Sequence, residues 1–133
     1  ARFIIKITRL IKSQGNYGHV VDEKIELIRT FTFLVEAHFR KEHSVSFYAA
    51  ELNKSPKTIS NYFSKFDKTP LQIIHDRIVL EAKRLLTYTD KSAKEIAFEV
   101  GFQDASHLSR LFKKQTGESP SAFKNKSRQL VTL

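Results

Sequence analysis

The stretch GFQDASHLSRLFKKQTGESPSAF, residues 101–123, carries two superposed patterns. Ala105, Leu108, Leu111 and Phe112 recur at helical spacing and share one side at about 100° per residue. Ser106, Arg110 and Lys113 point the opposite way, flanked by His107 and Lys114. Asp104 caps the stretch at one end and Gly117 at the other. The apolar stripe fixes such a helix to its own subdomain. The outward stripe is a row of cations and hydrogen-bond donors with no internal partner. Side chains of these kinds meet base edges when a helix enters a major groove.

The same design occurs upstream. SVSFYAAELNKSPKTISNYFSKF (44–66) aligns with SAKEIAFEVGFQDASHLSRLFKKQ (92–115). Ala49 falls on Ala97, an offset of 97 − 49 = 48, and Phe63 on Phe112, an offset of 112 − 63 = 49. One extra residue therefore lies in the second turn, GFQ. Gly101 suits the left-handed backbone of a tight turn, and Asn53, which holds the matching place, is the next most tolerant residue. Ile59, Tyr62, Phe63 and Phe66 form the inner side of the first half's second helix, while Lys57, Asn61 and Ser64 face out beside Thr58 and Lys65. Internal duplication of this kind bears on architecture as well as on function.

Punctuation divides the chain. Helical spacing dominates, with four glycines and three prolines and no sustained strand-like alternation. A helix is expected at 3–12, followed by a break in SQGNYGH and a second helix at about 22–41 opened by Asp22 and Glu23, with Phe39 on its core side. Ser44 and Ser92 read as N-caps, the latter in a capping box with Glu95. Ser55-Pro56, Thr69-Pro70 and Ser119-Pro120 each set a cap before a helix-starting proline. The remaining helices are expected at about 45–52, 56–66, 70–88, 93–100, 105–115 and 120–127.

The fold class expected is all-α: two helix-turn-helix subdomains joined by a long linker helix, seven or so helices plus an N-terminal helical segment. The divisions are 1–20, a helix and linker; 21–68, the first subdomain; 69–89, the connecting helix; 90–128, the second subdomain; and 129–133, a tail. The connecting helix carries Leu71, Ile74, Ile78, Ala82 and Leu85 on one side. Its length, roughly 28 Å at about 1.5 Å per residue, approaches the roughly 34 Å between successive major grooves on one side of DNA.

Composition bounds the partner. Of the 133 residues, 23 are Lys or Arg against 14 Asp or Glu, a formal net charge of +9. An excess this large in a short chain favours an anionic partner, nucleic acid first and a membrane surface second. The 41% of hydrophobic residues suffices for a packed core. There is no cysteine, which removes disulfides, thiolate zinc sites and cysteine nucleophiles. No apolar run reaches the roughly 20 residues that span a bilayer.

The segment KEIAFEVGFQDASHLSRLFKKQTGESPSAFK (94–124) resembles the signature of the AraC/XylS family of bacterial transcription regulators. LNKSPKTISNYFSKFDKTPLQIIHDRIVLEAKRLL (52–86) resembles that family's first helix-turn-helix and linker helix, so the likeness runs from about residue 22 to 127. Two departures stand out. Asp67-Lys68 occupy the place of a usual glycine after the first recognition helix, which implies a left-handed Asp67, and His107-Leu108 replace an aromatic pair.

The resemblance implies a tandem, non-palindromic reading of two consecutive major-groove segments by a cytoplasmic, nucleoid-associated regulator, mostly an activator. RNA polymerase is the protein partner implied, any effector would be bound by a missing upstream domain, and no cofactor or metal is expected. Lys54, Ser55, Lys57, Thr58, Asn61 and Lys65 are the candidates for the first groove. Gln103, Ser106, His107, Arg110, Lys113 and Lys114 are those for the second, with Arg110 the candidate guanine contact. The resemblance adds Arg77 as a backbone contact. Ser44, Ser92 and Ser119 are candidates for phosphate contacts that set register.

Rival readings are an architectural protein that binds DNA without reading bases, a basic membrane-surface bundle, and an enzyme. The five histidines form no ligand-spaced cluster, and no phosphate-cradling glycine loop or nucleophile motif is present. His38 and His43, five apart at a helix end, read as structural.

Overall fold

A computed structural model of the chain describes residues 19–131, so the helix expected at 3–12 lies outside the described residues. Those residues form seven α-helices and no strand: α1 His19–His38, α2 Val45–Glu51, α3 Pro56–Tyr62, α4 Pro70–Tyr88, α5 Ala93–Glu99, α6 Ala105–Thr116 and α7 Pro120–Val131. They fall into two compact units. One gathers the described residues up to Ala37 with Ser44–Ile73, and the other gathers His38–His43 with Ile74 onward.

The caps act as their sequence suggests. Ser44 Oγ accepts from Phe47 N, and Ser55 Oγ accepts from Thr58 N ahead of Pro56. Ser92 and Glu95 form a reciprocal capping box. Thr69 and Gln72 form another, Thr69 N donating to Gln72 Oε1 at 2.8 Å and Gln72 N to Thr69 Oγ1 at 3.1 Å. Ser119 Oγ accepts from Ala122 N. Each cap satisfies N–H groups that a helix start leaves open.

The repeat is visible as a repeat of burial. Ala49 and Ala97, Ile59 and Leu108, and Phe63 and Phe112 are all buried. In the first unit the Phe31 ring meets Tyr48 at 5.4 Å and Phe63 at 5.2 Å. In the second, Phe112 meets Phe123 edge-on at 5.4 Å. Along α4, Ile74, Ile78, Ala82 and Leu85 are buried, joined by Val79 and Leu86, which widen the stripe beyond the expected side. Leu71, expected on that side, sits in the helix's first turn and is 43% exposed.

Several boundaries differ from expectation. The second helix of the first half, expected over 56–66, ends at Tyr62 with Phe63 as its C-cap. Ser60, Asn61 and Ser64 are poor helix formers, and the chain tightens into turns in which Phe66 N donates to Phe63 O. Phe66, expected inside, is consequently 41% exposed. The helix expected at 22–41 ends at His38; Phe39, expected on its core side, is buried in the turn that follows, and it belongs to the second unit. The last helix runs to Val131, so 129–131 are helix and not tail. Arg128 fixes this added turn by donating to Thr89 O at 3.1 Å and pairing with Asp90.

Candidate nucleic-acid interface

Two recognition elements are built alike. In the first unit, Leu52 caps α2, Asn53 takes φ 56°, Asn53 N donates to Ala50 O and Lys54 N donates to Ala49 O at 2.9 Å. In the second, Val100 caps α5, Gly101 takes φ 97°, Gly101 N donates to Phe98 O and Phe102 N donates to Ala97 O at 2.8 Å. Both are Schellman turns, in which a left-handed residue lets its own amide and the next one satisfy the last helix carbonyls. Asn53 is the one non-glycine described with positive φ, so Asp67 does not take the left-handed turn its position implied. From the left-handed residue to the next N-cap is 55 − 53 = 2 residues in the first turn and 104 − 101 = 3 in the second. Gln103 is the extra one, and it is exposed.

In the first unit, Lys54, Ser55, Lys57 and Asn61 are exposed around the start and outer face of α3. Thr58 is half-buried, and its Oγ1 lies 2.9 Å from Ser55 Oγ, so this pair supports the cap. Lys54 Nζ lies 5.5 Å from the Tyr62 ring centroid. Lys65 is exposed but falls in the turn after α3, not on the helix face expected for it.

In the second unit, Ser106, His107, Arg110, Lys113 and Lys114 are all exposed along α6, whose inner side buries Leu108 and Phe112. Asp104 Oδ1 accepts from Ser106 N at 2.9 Å, and this bond, with help from His107 and Arg110, holds the carboxyl below its usual range. At the other end Gly117, at φ 85°, closes the helix by donating to Lys113 O at 2.8 Å. The row on α6 thus offers donors and positive charge to a ligand, while its caps fix where the row begins and stops.

Arg77 departs from a simple exposed cation. It is half-buried, and its guanidinium carbon sits 4.2 Å from the centroid of Phe39, with Arg40 at 4.5 Å from the same ring. Sequence reasoning missed the groups around this ring. Arg40 donates to Glu81 at 2.8 Å across 41 residues, and His43 Nε2 lies 2.7 Å from Val100 O across 57. No local periodicity announces pairs so far apart. Of the two histidines read as structural near the end of the first helix, His43 holds such a bond within its unit.

His75 belongs to this neighbourhood. Burial, then the positive fields of His43 and Lys114, lower its pKa, partly offset by Asp76. A histidine whose protonation the fold disfavours takes up protons more readily when unfolded. Stability is therefore full above about pH 6.5, its unfolded value, and declines as pH falls below that. Urea midpoints compared at pH 7.5 and 5.5 are expected to show this loss, and His75→Gln to shrink it.

Among the described residues no group of three His, Cys, Asp or Glu side chains is placed to hold a metal ion, and no helix is long and apolar enough to cross a membrane.

Residues 48–126 match a family described as a helix-turn-helix domain. The chain is 31% identical over 87 residues to the HTH-type transcriptional activator RhaS of Enterobacter sp. (strain 638), covering 65% of this chain and 31% of that protein. It spans about a third of the length of the curated relatives it matches. The DNA-binding domain of AdpA, a global transcriptional factor crystallised with a target DNA, superposes with a TM-score of 0.68 at 31% identity, over 77% of this chain and 93% of that one. The C-terminal domain of AraT, a response regulator from Geobacillus stearothermophilus, superposes with a TM-score of 0.71 at 24% identity, over 75% and 84% of the two chains, and shows the shared fold alone.

These features define a helix-turn-helix DNA-binding module of the kind found in transcription regulators. The chain belongs to the AraC/XylS-type helix-turn-helix family, which is not a class of enzymes.

Proposed function

We propose that this chain reads a non-palindromic duplex DNA site, α3 and α6 each entering a major-groove segment, as the DNA-binding part of a transcription activator. The observation that carries the reading is the pairing of two Schellman-turned helices, each anchored by buried apolar residues and each presenting an exposed row of donors and cations. The RhaS relative is an activator, and the AdpA domain was crystallised on a target DNA. Both support the same role here. The proposed contacts are Lys54, Lys57, Asn61 and Lys65 around α3, with Gln103, Ser106, His107, Arg110, Lys113 and Lys114 around α6. Ser55 and Thr58 hold the first cap, and Arg77 contributes positive charge near the backbone. In a full-length regulator this module would work in the cytoplasm at the nucleoid, contact RNA polymerase and answer an effector bound elsewhere in the protein.

Selection from random duplexes tests this directly. The expected outcome is an asymmetric site with two separate blocks of preference, and a competition ratio over random DNA of about 10³ or more at fixed salt. Binding without preference would instead identify an architectural protein. Arg110→Ala is expected to cost roughly 1–3 kcal/mol on the selected site and to relax preference at one position. An equal loss on random DNA would reduce Arg110 to a phosphate contact.

A further inference from the structure

We infer that His43, which lies outside both helix-turn-helix motifs, is a positioning residue for the second recognition helix. The inference rests on the DNA-reading role proposed for α6. Because Val100 presents a carbonyl oxygen, His43 must donate from Nε2, over 2.7 Å. Val100 is the C-cap of α5, and the carbonyls at a helix end lack intrahelical partners. His43 therefore ties down the last turn of α5 at the point where the chain reverses toward α6.

Further observations place His43 on the path to the DNA-facing row. Its ring packs on Phe102 at 4.7 Å between centroids, and Phe102 in turn faces His107 at 6.3 Å. His107 is the third residue of α6 and one of its exposed groups. The backbone just before His43 closes over the same turn: a Cβ on Gly101 would lie 2.5 Å from Arg40 O and 2.7 Å from His43 Nε2. The first unit's turn carries a Cβ at the equivalent place, on Asn53. The second turn is also a residue longer, so it holds more freedom that a tether must remove.

A purely structural histidine would protect the fold and leave base preference in proportion. A positioning histidine acts selectively. His43→Ala is expected to leave the block read by α3 unchanged in a randomised-duplex selection. It should flatten the block read by α6, with about tenfold discrimination lost per base position. His43→Gln should restore that block, because the Gln amide nitrogen reaches about as far as Nε2 and donates to the same carbonyl. Phe102→Leu, which keeps an apolar group but removes the ring between the two histidines, should flatten the same block. Amide hydrogen exchange of the DNA-free protein provides an independent arm: His43→Ala should speed exchange at 101–107 and leave 53–58 as in the wild type.

Equal flattening of both blocks, failure of Gln to restore the second, or unchanged exchange at 101–107 would overturn the inference. A wild-type protein with no base preference would overturn the proposed function. The exchange arm would then still decide whether His43 holds the turn.

Discussion

Gly101→Ala is expected to destabilise the second unit by roughly 2–5 kcal/mol, while Gly117→Ala, at a similar backbone angle, costs about 1–2 kcal/mol. Both glycines are left-handed, at φ 97° and 85°, and an L-residue pays the same steric penalty of about 1–2 kcal/mol at either. The difference is room. The Cβ of an alanine at 117 meets no heavy atom within 4 Å, whereas at 101 it lies 2.5 Å from the Arg40 carbonyl oxygen. A backbone oxygen cannot swing aside as a side chain can, so the strand of chain through Arg40 must shift and loosen His43 with it. Urea denaturation of the two variants side by side is the measurement. Equal losses would mean that Arg40 and His43 do not crowd this turn.

Glu81→Ala should cost about 2–4 kcal/mol, and it should also remove Glu81's own share of the protein's acid sensitivity below pH 4.5. Glu81 is the buried charged residue of the described core, 3% exposed. It is held by Arg84 through both oxygens, at 2.7 and 2.9 Å, and by Arg40 at 2.8 Å. Its pKa falls from 4.5 to about 2, chiefly through the bond from Arg84. A carboxyl with a lowered folded pKa adds stability that is complete above its unfolded value. That stability is lost progressively as pH drops from about 4.5 toward 2, some 3 kcal/mol in all at about 1.4 kcal/mol per pH unit. Both arginines are about half exposed, so water resolvates them when Glu81 is removed, which keeps the loss below that of a stranded buried charge. Glu81→Gln separates shape from charge: it should retain packing yet flatten the acid limb. An unchanged acid limb in both variants would refute the assignment.

What could be read from sequence was local. Ser92 and Glu95 sit within one helical turn, and their pairing is decided by residues three apart. Asn53 and Gly101 were legible because left-handed backbone selects for so few residue types. The outward rows of α3 and α6 followed from a helical period that the buried Ile59, Leu108 and Phe112 obey.

The unread parts depend on distant chain. Nothing near Phe39 signals that it leaves the helix to stack with Arg40 and Arg77. Glu81 looks like any solvated carboxylate of an amphipathic helix until Arg40 arrives from 41 residues upstream. The early end of α3 was hidden for another reason. Phe63 and Phe66 keep the helical spacing, and their rings do meet at 5.7 Å, but in a turn where Phe66 N bonds back to Phe63 O. Apolar periodicity alone does not distinguish those two geometries.

The allocation of His38–His43 to the second unit constrains how the molecule can be dissected. A fragment starting at Ile74 would leave Glu81 with one arginine, strip the ring from beneath Arg77 and open the Val100 carbonyl to water. Its complement, ending at Ile73, would carry Phe39 as an orphaned greasy side chain. Workable halves therefore call for a splice in which 38–43 travel with the C-terminal piece, and a simple cut at the linker should yield two poorly behaved products.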